Sequence, residues 1–459
     1  MSPDLTTLSI VILAAGKGTR MKSSLPKVLH PIAGRPLLQH VIDTVRALGS
    51  KELLNIVVGY RADAVEGALA ADDLRFVLQT QQLGTGHAVQ QTLDYIHPQS
   101  TALILYGDVP LITTKTLAKL AATADKQTLA LLTLDLEDPS GYGRIQRNQK
   151  GEVIAIIEHK DANPEQLAIK EINTGIMALS GEHLHAWLPQ VSNNNAQGEY
   201  YLTDLIALAK QHGVKIHTEQ ADNEWEVLGV NDRVQQAQLE RVYQQQQAEQ
   251  FMRGGLTLID PNRFDCRGEL TFGEDVEIDF NCLFEGKVSL GNNVKVGPNC
   301  CIKNATIGDG TIIYANTIIE DSTIAKNCQV GPYARFRPGV EMADGAKAGN
   351  FVEIKKSKIG EGSKVNHLSY VGDAELGKKV NVGAGTITCN YDGANKWLTE
   401  IGDGAFIGSN TALVAPVKVG KGATTGAGST INQAIPDNQL AVARAKQKNI
   451  EGWERPKKK

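Results

Sequence analysis

Two hydrophobic periods divide this chain of 459 residues. In the first half, short apolar runs alternate with helix-spaced segments. Ser9-Ile10-Val11-Ile12-Leu13 is continuous and ends in Ala14-Ala15-Gly16, the pattern of a strand buried on both faces that feeds a loop. Further strands are predicted over Leu54–Val58, Ala102–Tyr106, Thr128–Leu134 and Val153–Glu158, with helices between several of them, such as Leu37–Leu48. Strand and helix in alternation predict an α/β fold with a mostly parallel, Rossmann-like sheet. Ligands then sit at the carboxyl ends of its strands.

The pattern changes near residue 233. Val234 to Met252 contains no glycine or proline and many strong helix formers, and Gly254-Gly255 ends it. Ala237, Leu239, Val242, Tyr243, Ala248 and Phe251 supply a modest packing stripe, and the four glutamines 244–247 read as a solvated face. Beyond this helical connector a six-residue period begins. Ile401-Gly402, Ile407-Gly408, Leu413-Val414, Val419-Gly420 and Thr425-Gly426 recur at strict intervals, with earlier copies at Leu290, Val296, Ile307, Ile359 and Leu376. Val294, Thr311, Ser363, Val380, Ala405, Val417 and Ala423 occupy the fifth position of the repeat. One inward aliphatic residue per short repeat predicts a parallel β-helix, in which each rung is buried only by its neighbours. The expected domains are therefore 1–233, a helical linker 234–254, and 255–459.

Composition changes this picture little. Glycine, at 45 residues, is the outlier, and most of its excess lies after residue 250. A net charge of −4 points to neither nucleic acid nor a membrane surface as partner, and the terminal Lys457-Lys458-Lys459 reads as a solvated tail. The run Leu8 to Ala15 lacks a preceding basic residue and is followed at once by Lys17 and Arg20, so it fails as an export signal. No stretch reaches the ~18 apolar residues of a membrane span. A soluble, cytoplasmic protein is expected. The six cysteines, Cys266, Cys282, Cys300, Cys301, Cys328 and Cys389, form no C-x-x-C pair and read as reduced packing residues.

The most informative segment for chemistry is Leu13-Ala14-Ala15-Gly16-Lys17-Gly18-Thr19-Arg20-Met21. Small residues let successive backbone N–H groups approach a pyrophosphate. Arg20 adds a planar fork for its oxygens, and Lys27, after Pro26, adds a point charge. The string is neither a Walker loop nor G-x-G-x-x-G. Asp108 ends an apolar strand, a position where an acid facing a phosphate loop suits a Mg²⁺ ligand.

That string is joined, in order, by Gln82 to Ala88, Tyr106 to Pro110, Gly141 to Arg144, Glu158 to Ala162, Asn173 to Gly175 and Asn193 to Tyr201. The set resembles the sugar-1-phosphate nucleotidyltransferases. With the hexapeptide half, it resembles the bifunctional bacterial N-acetylglucosamine-1-phosphate uridylyltransferase/glucosamine-1-phosphate acetyltransferases along essentially the whole chain. The resemblance implies a left-handed β-helix and two reactions. Glucosamine-1-phosphate is acetylated by acetyl-CoA, and UMP then passes from UTP to N-acetylglucosamine-1-phosphate. The products are pyrophosphate and the UDP-sugar used for cell-wall and lipopolysaccharide precursors. It further implies that Leu13, Ala14, Ala15, Gly16, Lys27, Thr85, Tyr106 and Gly107 line the nucleotide site, and that Gln79 and Gly84 read the uracil edge. Gly143, Glu158 and Asn173 hold the sugar, and Asn231 joins Asp108 on Mg²⁺. Arg20 and Lys27 then stabilise charge developing on the phosphates.

In the second half, two departures from the period stand out. Cys389 to Trp397 interrupts the rungs, and loops leaving a solenoid are where binding residues sit. Of ten histidines only His367 lies beyond residue 217. An imidazole ordinarily titrates near pH ~6.5, which suits it to accept a proton from an attacking amine, although a lone histidine is more often surface or core filler. The resemblance makes His367 the general base and assigns Arg337, Lys355, Tyr370 and Asn381 to glucosamine-1-phosphate. It places Ala384, Asn390, Tyr391, Ser409, Ala427 and Arg444 against acetyl-CoA, with the Asn390-Tyr391 loop donating to the oxyanion. It also implies a homotrimer formed through the β-helix. Two other readings make the second half a regulatory domain or a bare oligomerisation scaffold.

Overall fold

The computed structural model describes residues 8–195 and 197–458; Ala196 of the asparagine-rich motif and Lys459 of the basic tail lie outside the described residues. The chain forms two compact units, Met1–Tyr243 and Gln244–Lys459.

The first unit is built on a nine-stranded sheet. Its strands are β1 (Leu8–Leu13), β2 (Leu54–Val58), β3 (Leu74–Leu78), β4 (Thr101–Tyr106), β5 (Thr128–Asp135), β6 (Gly143–Arg147), β7 (Val153–Ile157), β8 (Glu171–Ser180) and β9 (Lys215–Gln220). The order is β9-β5-β8-β4-β1-β2-β3, with the β6–β7 hairpin attached to β8. β1 lies parallel to both β2 and β4, whereas β8 runs antiparallel between β4 and β5. The sheet is thus mixed around β8 and parallel where the phosphate loop leaves it. All six residues of β1 are buried, as its unbroken apolar run requires. The strand order reverses beside β1, between β4 and β2, and this switch point opens a crevice at their carboxyl ends.

The connector is a single helix, Arg233–Arg253, and the division between the units falls inside it. In the first unit, Leu239 packs in a cluster with Met21, Ile32, Leu37 and Val230, and Glu240 accepts the Ala33 N–H at 2.7 Å. In the second, Ala248 joins the β-helix core and Phe251 meets Phe264 and Phe272 edge-on. The expected stripe is only partly right, since Ala237 is exposed. The expected solvated glutamine face is corrected at Gln244, which is buried. Its amide donates to Cys266 O (3.0 Å) and accepts from Cys266 N (2.8 Å). The strand Phe264–Phe272 pairs with Cys282–Leu290 on one side only, so Gln244 satisfies a backbone edge that would otherwise be buried unpaired.

The second unit is a parallel β-helix with three columns of strands. Most in-register partners lie 17 or 18 residues apart on successive coils, as Val296 with Ile313 and Val330 with Ala348. The widest gap is at Val382, which partners Ile407, because the predicted interruption bulges from this coil. Repeat positions Ile401, Ile407, Leu413, Val419 and Thr425 are buried, and so are fifth-position residues Val294, Thr311, Ser363, Val380, Ala405, Val417 and Ala423. The polar inward residue Ser363 is small and bonded: its hydroxyl donates to Gly377 O and accepts the Val380 N–H. Cys266, Cys282, Cys300 and Cys328 are buried free thiols of this core.

Candidate active sites

Parallel pairing of β1 and β4 sets Leu13 beside Tyr106, so the loop Ala14–Gly16 and the acid Asp108 emerge side by side. Gly107 N donates to Leu13 O at 3.0 Å and holds the two loops together. A cavity of about 310 Å³ opens here. It is lined by the predicted Leu13, Ala14, Ala15, Gly16, Lys27, Gln79, Gly84, Thr85, Tyr106 and Asp108. Gln82 and Glu199 also line it. Both lie in motifs the sequence displays, but nothing in their spacing distinguished them from turn residues.

The backbone explains the glycines of this site. Gly18 has φ +58, and a side chain there would run into the Lys27 stem, so the loop packs directly on that lysine. Gly84 has φ +110, and an added Cβ would lie 2.6 Å from Tyr200 O. That approach lets Gly86 N reach Tyr200 O and Tyr200 N reach Leu83 O, each at 2.8 Å. The buried Gln79 donates its amide N–H to Gly84 O and faces His87 Nδ1, which leaves its amide oxygen for a ligand N–H.

Lys27 Nζ bonds both Asp108 Oδ2 and Asn231 Oδ1, the latter at 3.2 Å, and Arg20 donates to Asn231 Oδ1 at 2.9 Å. A backbone bond from Val230 N to Asp108 O (2.8 Å) sets the two segments in register. One carboxylate and one carboxamide oxygen thus already converge on a single ammonium. That donor set fits Mg²⁺, which takes few protein oxygens beside phosphate and water.

The residues expected to hold the sugar form a second group. Asn173 on β8 pairs with Gly143 on β6, and a Cβ on Gly143 would meet the Glu158 carboxylate at 3.5 Å. Burial pushes the Glu158 carboxyl above the usual range, opposed by the Thr203 hydroxyl and reinforced by Asp161 and Asp204. Burial, then Asp108 and Glu158, pushes the Tyr106 phenol up, so it stays a neutral wall between the two groups.

In the second unit, His367 ends the strand Lys364–His367, with its ring exposed. Its Nδ1 lies 2.8 Å from Oδ1 of Asn350, its in-register partner on the preceding coil. A carboxamide oxygen only accepts, so in the neutral ring Nδ1 carries the proton and Nε2 the lone pair. Sequence reading missed Asn350, because the pairing exists only once the coils stack.

A cationic cluster forms on another face. Lys396 lies against Lys355 and, with desolvation and Arg337, lowers its pKa, while Asp373 opposes them. Arg337 itself donates to Glu353 at 3.1 Å. Lys396 comes from the interrupting loop, which Asp392 fixes by accepting from Ala394 N, Asn395 N and Trp397 Nε1. Three cations together suit a phosphate. Tyr370 pairs with Glu353 on this face, but Asn381 lies in a different column, in register with Lys364. Asn390 donates to Asp373 on the preceding coil, and the Tyr391 hydroxyl donates to Gly393 O within the loop. Ala384, Ser409 and Ala427 stack on successive coils, and Arg444 donates to Ala427 O at the top of that column.

The folds and these sites define a nucleotidyltransferase continued into a hexapeptide-repeat transferase. Residues 10–171 match the MobA-like NTP transferase domain, residues 266–339 the GMPPB C-terminal domain, and residues 398–433 the bacterial transferase hexapeptide model (six repeats). The chain is 63% identical to the bifunctional protein GlmU of Cellvibrio japonicus (strain Ueda107), over 98% of this chain and all of that protein. It is 59% identical to GlmU of Marinobacter nauticus, over 99% of this chain and all of that protein. With GlmU of Idiomarina loihiensis the identity is 58%, over 98% of this chain and 99% of that protein. The chain belongs to the GlmU family of bifunctional uridylyltransferase/acetyltransferases, and it acts as both enzymes.

Proposed function

We propose that the crevice of the first unit performs uridylyl transfer and the β-helix performs acetylation, with the residues above in the following roles. In the first reaction, a phosphate oxygen of N-acetylglucosamine-1-phosphate attacks the α-phosphorus of UTP in line, and the bond to pyrophosphate breaks. Backbone N–H groups of Ala14–Gly16, with Arg20 and Lys27, hold the phosphates and balance the charge that develops. Gln79 and Gly84 hold the uracil, and Gly143, Glu158 and Asn173 hold the sugar. Asp108 and Asn231 would hold Mg²⁺, which when bound neutralises phosphate charge. The observation that carries this assignment is the convergence of Lys27, Asp108 and Asn231 beside the phosphate loop.

In the second reaction the amine of glucosamine-1-phosphate attacks the acetyl-CoA thioester. His367 Nε2 takes the amine proton, the C–S bond breaks, and the CoA thiolate leaves. Arg337, Lys355 and Lys396 hold the phosphate, and the column Ala384–Ser409–Ala427 with Arg444 lies along the cofactor. The Nδ1 contact to Asn350 supports the base assignment.

We further propose a homotrimer through the β-helix, in the cytoplasm where nucleotide and acetyl-CoA are found. One corner of the helix supports association. It carries left-handed residues on coil after coil, Asn299, Asn316, Asn410 and Gly428 among them, but Tyr333, Phe351 and Leu368 take this place on three successive coils. All three side chains are exposed, with Tyr333 stacked on Phe351 at 5.2 Å. Left-handed backbone costs a bulky residue about 1–2 kcal/mol. Exposed apolar groups held at that cost, next to His367, suit a contact with another copy that completes a site whose residues are spread over two columns.

The test is a coupled assay with glucosamine-1-phosphate, acetyl-CoA and UTP, omitting each in turn. His367→Ala should abolish acetylation and spare uridylylation, and Asp108→Ala should do the reverse. Equal damage to both reactions by both variants, in folded protein, would overturn the division of labour. A monomeric mass by light scattering would overturn the trimer.

A further inference from the structure

Glu226 is about 1% exposed, yet it belongs to neither reaction's set of ligands. Its Oε2 accepts from the hydroxyls of Thr113 (2.9 Å) and Thr116 (2.5 Å), and its Oε1 accepts from Asn223 Nδ2 at 3.3 Å. Thr113 is the N-cap of helix Thr114–Thr123, where its side chain also accepts the Thr116 N–H. Burying a carboxyl group among neutral donors costs more than filling the same space with an aliphatic side chain. What the carboxyl adds is direction.

Its place in the chain shows what it directs. Thr113 lies five residues after Asp108, and Glu226 lies five residues before Asn231. The two segments run side by side. Near the site they are pinned by Val230 N donating to Asp108 O, and at the far end by Glu226 on Thr113 and Thr116. Between the pins, Val109, Ile112 and Val227 are buried in one cluster. An apolar cluster is tolerant of sliding, whereas hydrogen bonds to a helix cap are not.

We propose that Glu226 is a positioning residue for uridylyl transfer: by tying the 223–231 segment to the start of helix Thr114–Thr123, it sets the distance of Asn231 from Asp108. This rests on the assignment of Asp108 and Asn231 as the cation ligands. It makes Glu226 govern metal affinity without touching metal or substrate.

The experiment uses full-length protein with saturating UDP-N-acetylglucosamine, and Mn²⁺ as probe, read as free Mn²⁺ by electron paramagnetic resonance. Outer residues that orient metal ligands are worth about 10- to 100-fold in affinity. Glu226→Leu is expected to raise the half-saturating Mn²⁺ by about tenfold, with Glu226→Gln nearer the parent protein because Gln retains one acceptor. Acetyl transfer, which belongs to the second unit, stays unchanged on the same samples, and a parent-like circular dichroism spectrum and melting transition of the first unit report that it is folded. Should Glu226→Leu not fold, the double variant Thr113→Val/Thr116→Val removes the same bonds, with the same expected loss. Asp108→Asn is the control. Parent-like Mn²⁺ affinity in the Glu226→Leu or double-valine protein, beside lost affinity in Asp108→Asn, overturns the positioning role alone. Parent-like affinity in Asp108→Asn overturns the cation-site reading and the positioning role together.

Discussion

Replacing Asn350 tests the acetyl-transfer site at its least obvious point. In Asn350→Leu the Nδ1 proton of His367 loses its acceptor, and nothing then favours the tautomer that leaves Nε2 basic. The bond is 2.8 Å long and gains charge as the ring takes up the amine proton, so it stabilises the transition state more than the ground state. Hydrogen bonds to a charged partner contribute about 1.5–3 kcal/mol, and because this one is exposed the lower figure applies. At ~1.4 kcal/mol per factor of ten, kcat for acetylation should fall roughly tenfold with little change in KM. Asn350→Asp makes the opposite change. A carboxylate about 4 Å from the imidazolium contributes about 1 kcal/mol in water-like surroundings and more if screened from solvent. The acidic limb of the pH–rate profile should therefore move up by about one pH unit. The assay follows thioester consumption across pH 5 to 9, with uridylyl transfer as internal control. An Asn350→Leu protein with acetylation within twofold of the parent, and an Asn350→Asp protein with an unmoved profile, would refute the tautomer argument.

Gly84→Ala would put a methyl group 2.6 Å from Tyr200 O on a left-handed residue, costing about 1–3 kcal/mol; KM for UTP should rise at least tenfold while acetylation is unaffected. Burial raises the Glu158 pKa, so its ionised form opposes folding, and stability is lost as pH rises through that raised value. Glu158→Gln should therefore melt above the parent at pH 8, with the gap closing towards pH 4, while N-acetylglucosamine-1-phosphate binds more weakly. Gln244→Leu leaves the buried N–H and C=O of Cys266 unpaired, at about 1–3 kcal/mol each. Urea denaturation of the second unit should show a loss of about 2–6 kcal/mol, and a loss below ~0.5 kcal/mol would count against the edge-capping role.

The chain's order of elements was legible in its sequence because hydrophobic period is a local property. Burial of the run Leu8–Leu13 and of the residues Ile401, Ile407, Leu413, Val419 and Thr425 followed from spacing alone. The phosphate loop was also legible, since small residues after a buried strand have few other uses. Asn231, Glu158 and Asn173 became visible only through resemblance to a family, since each reads by itself as an ordinary polar residue at a strand or loop end. Tertiary structure alone supplied the partners. Lys27 meets Asp108 and Asn231 because β1 and β4 pair in parallel and the 223–231 segment returns to them. Asn350 meets His367, and Lys396 meets Lys355, because coils of 17 or 18 residues stack and one of them is interrupted. Gln244, unremarkable within a glutamine run, is buried because a strand edge faces it. Periodicity determines which residues turn inward on one element. Which inward or rim groups touch one another depends on strand order and register between segments far apart in the chain, and those are set by the packing of the whole fold.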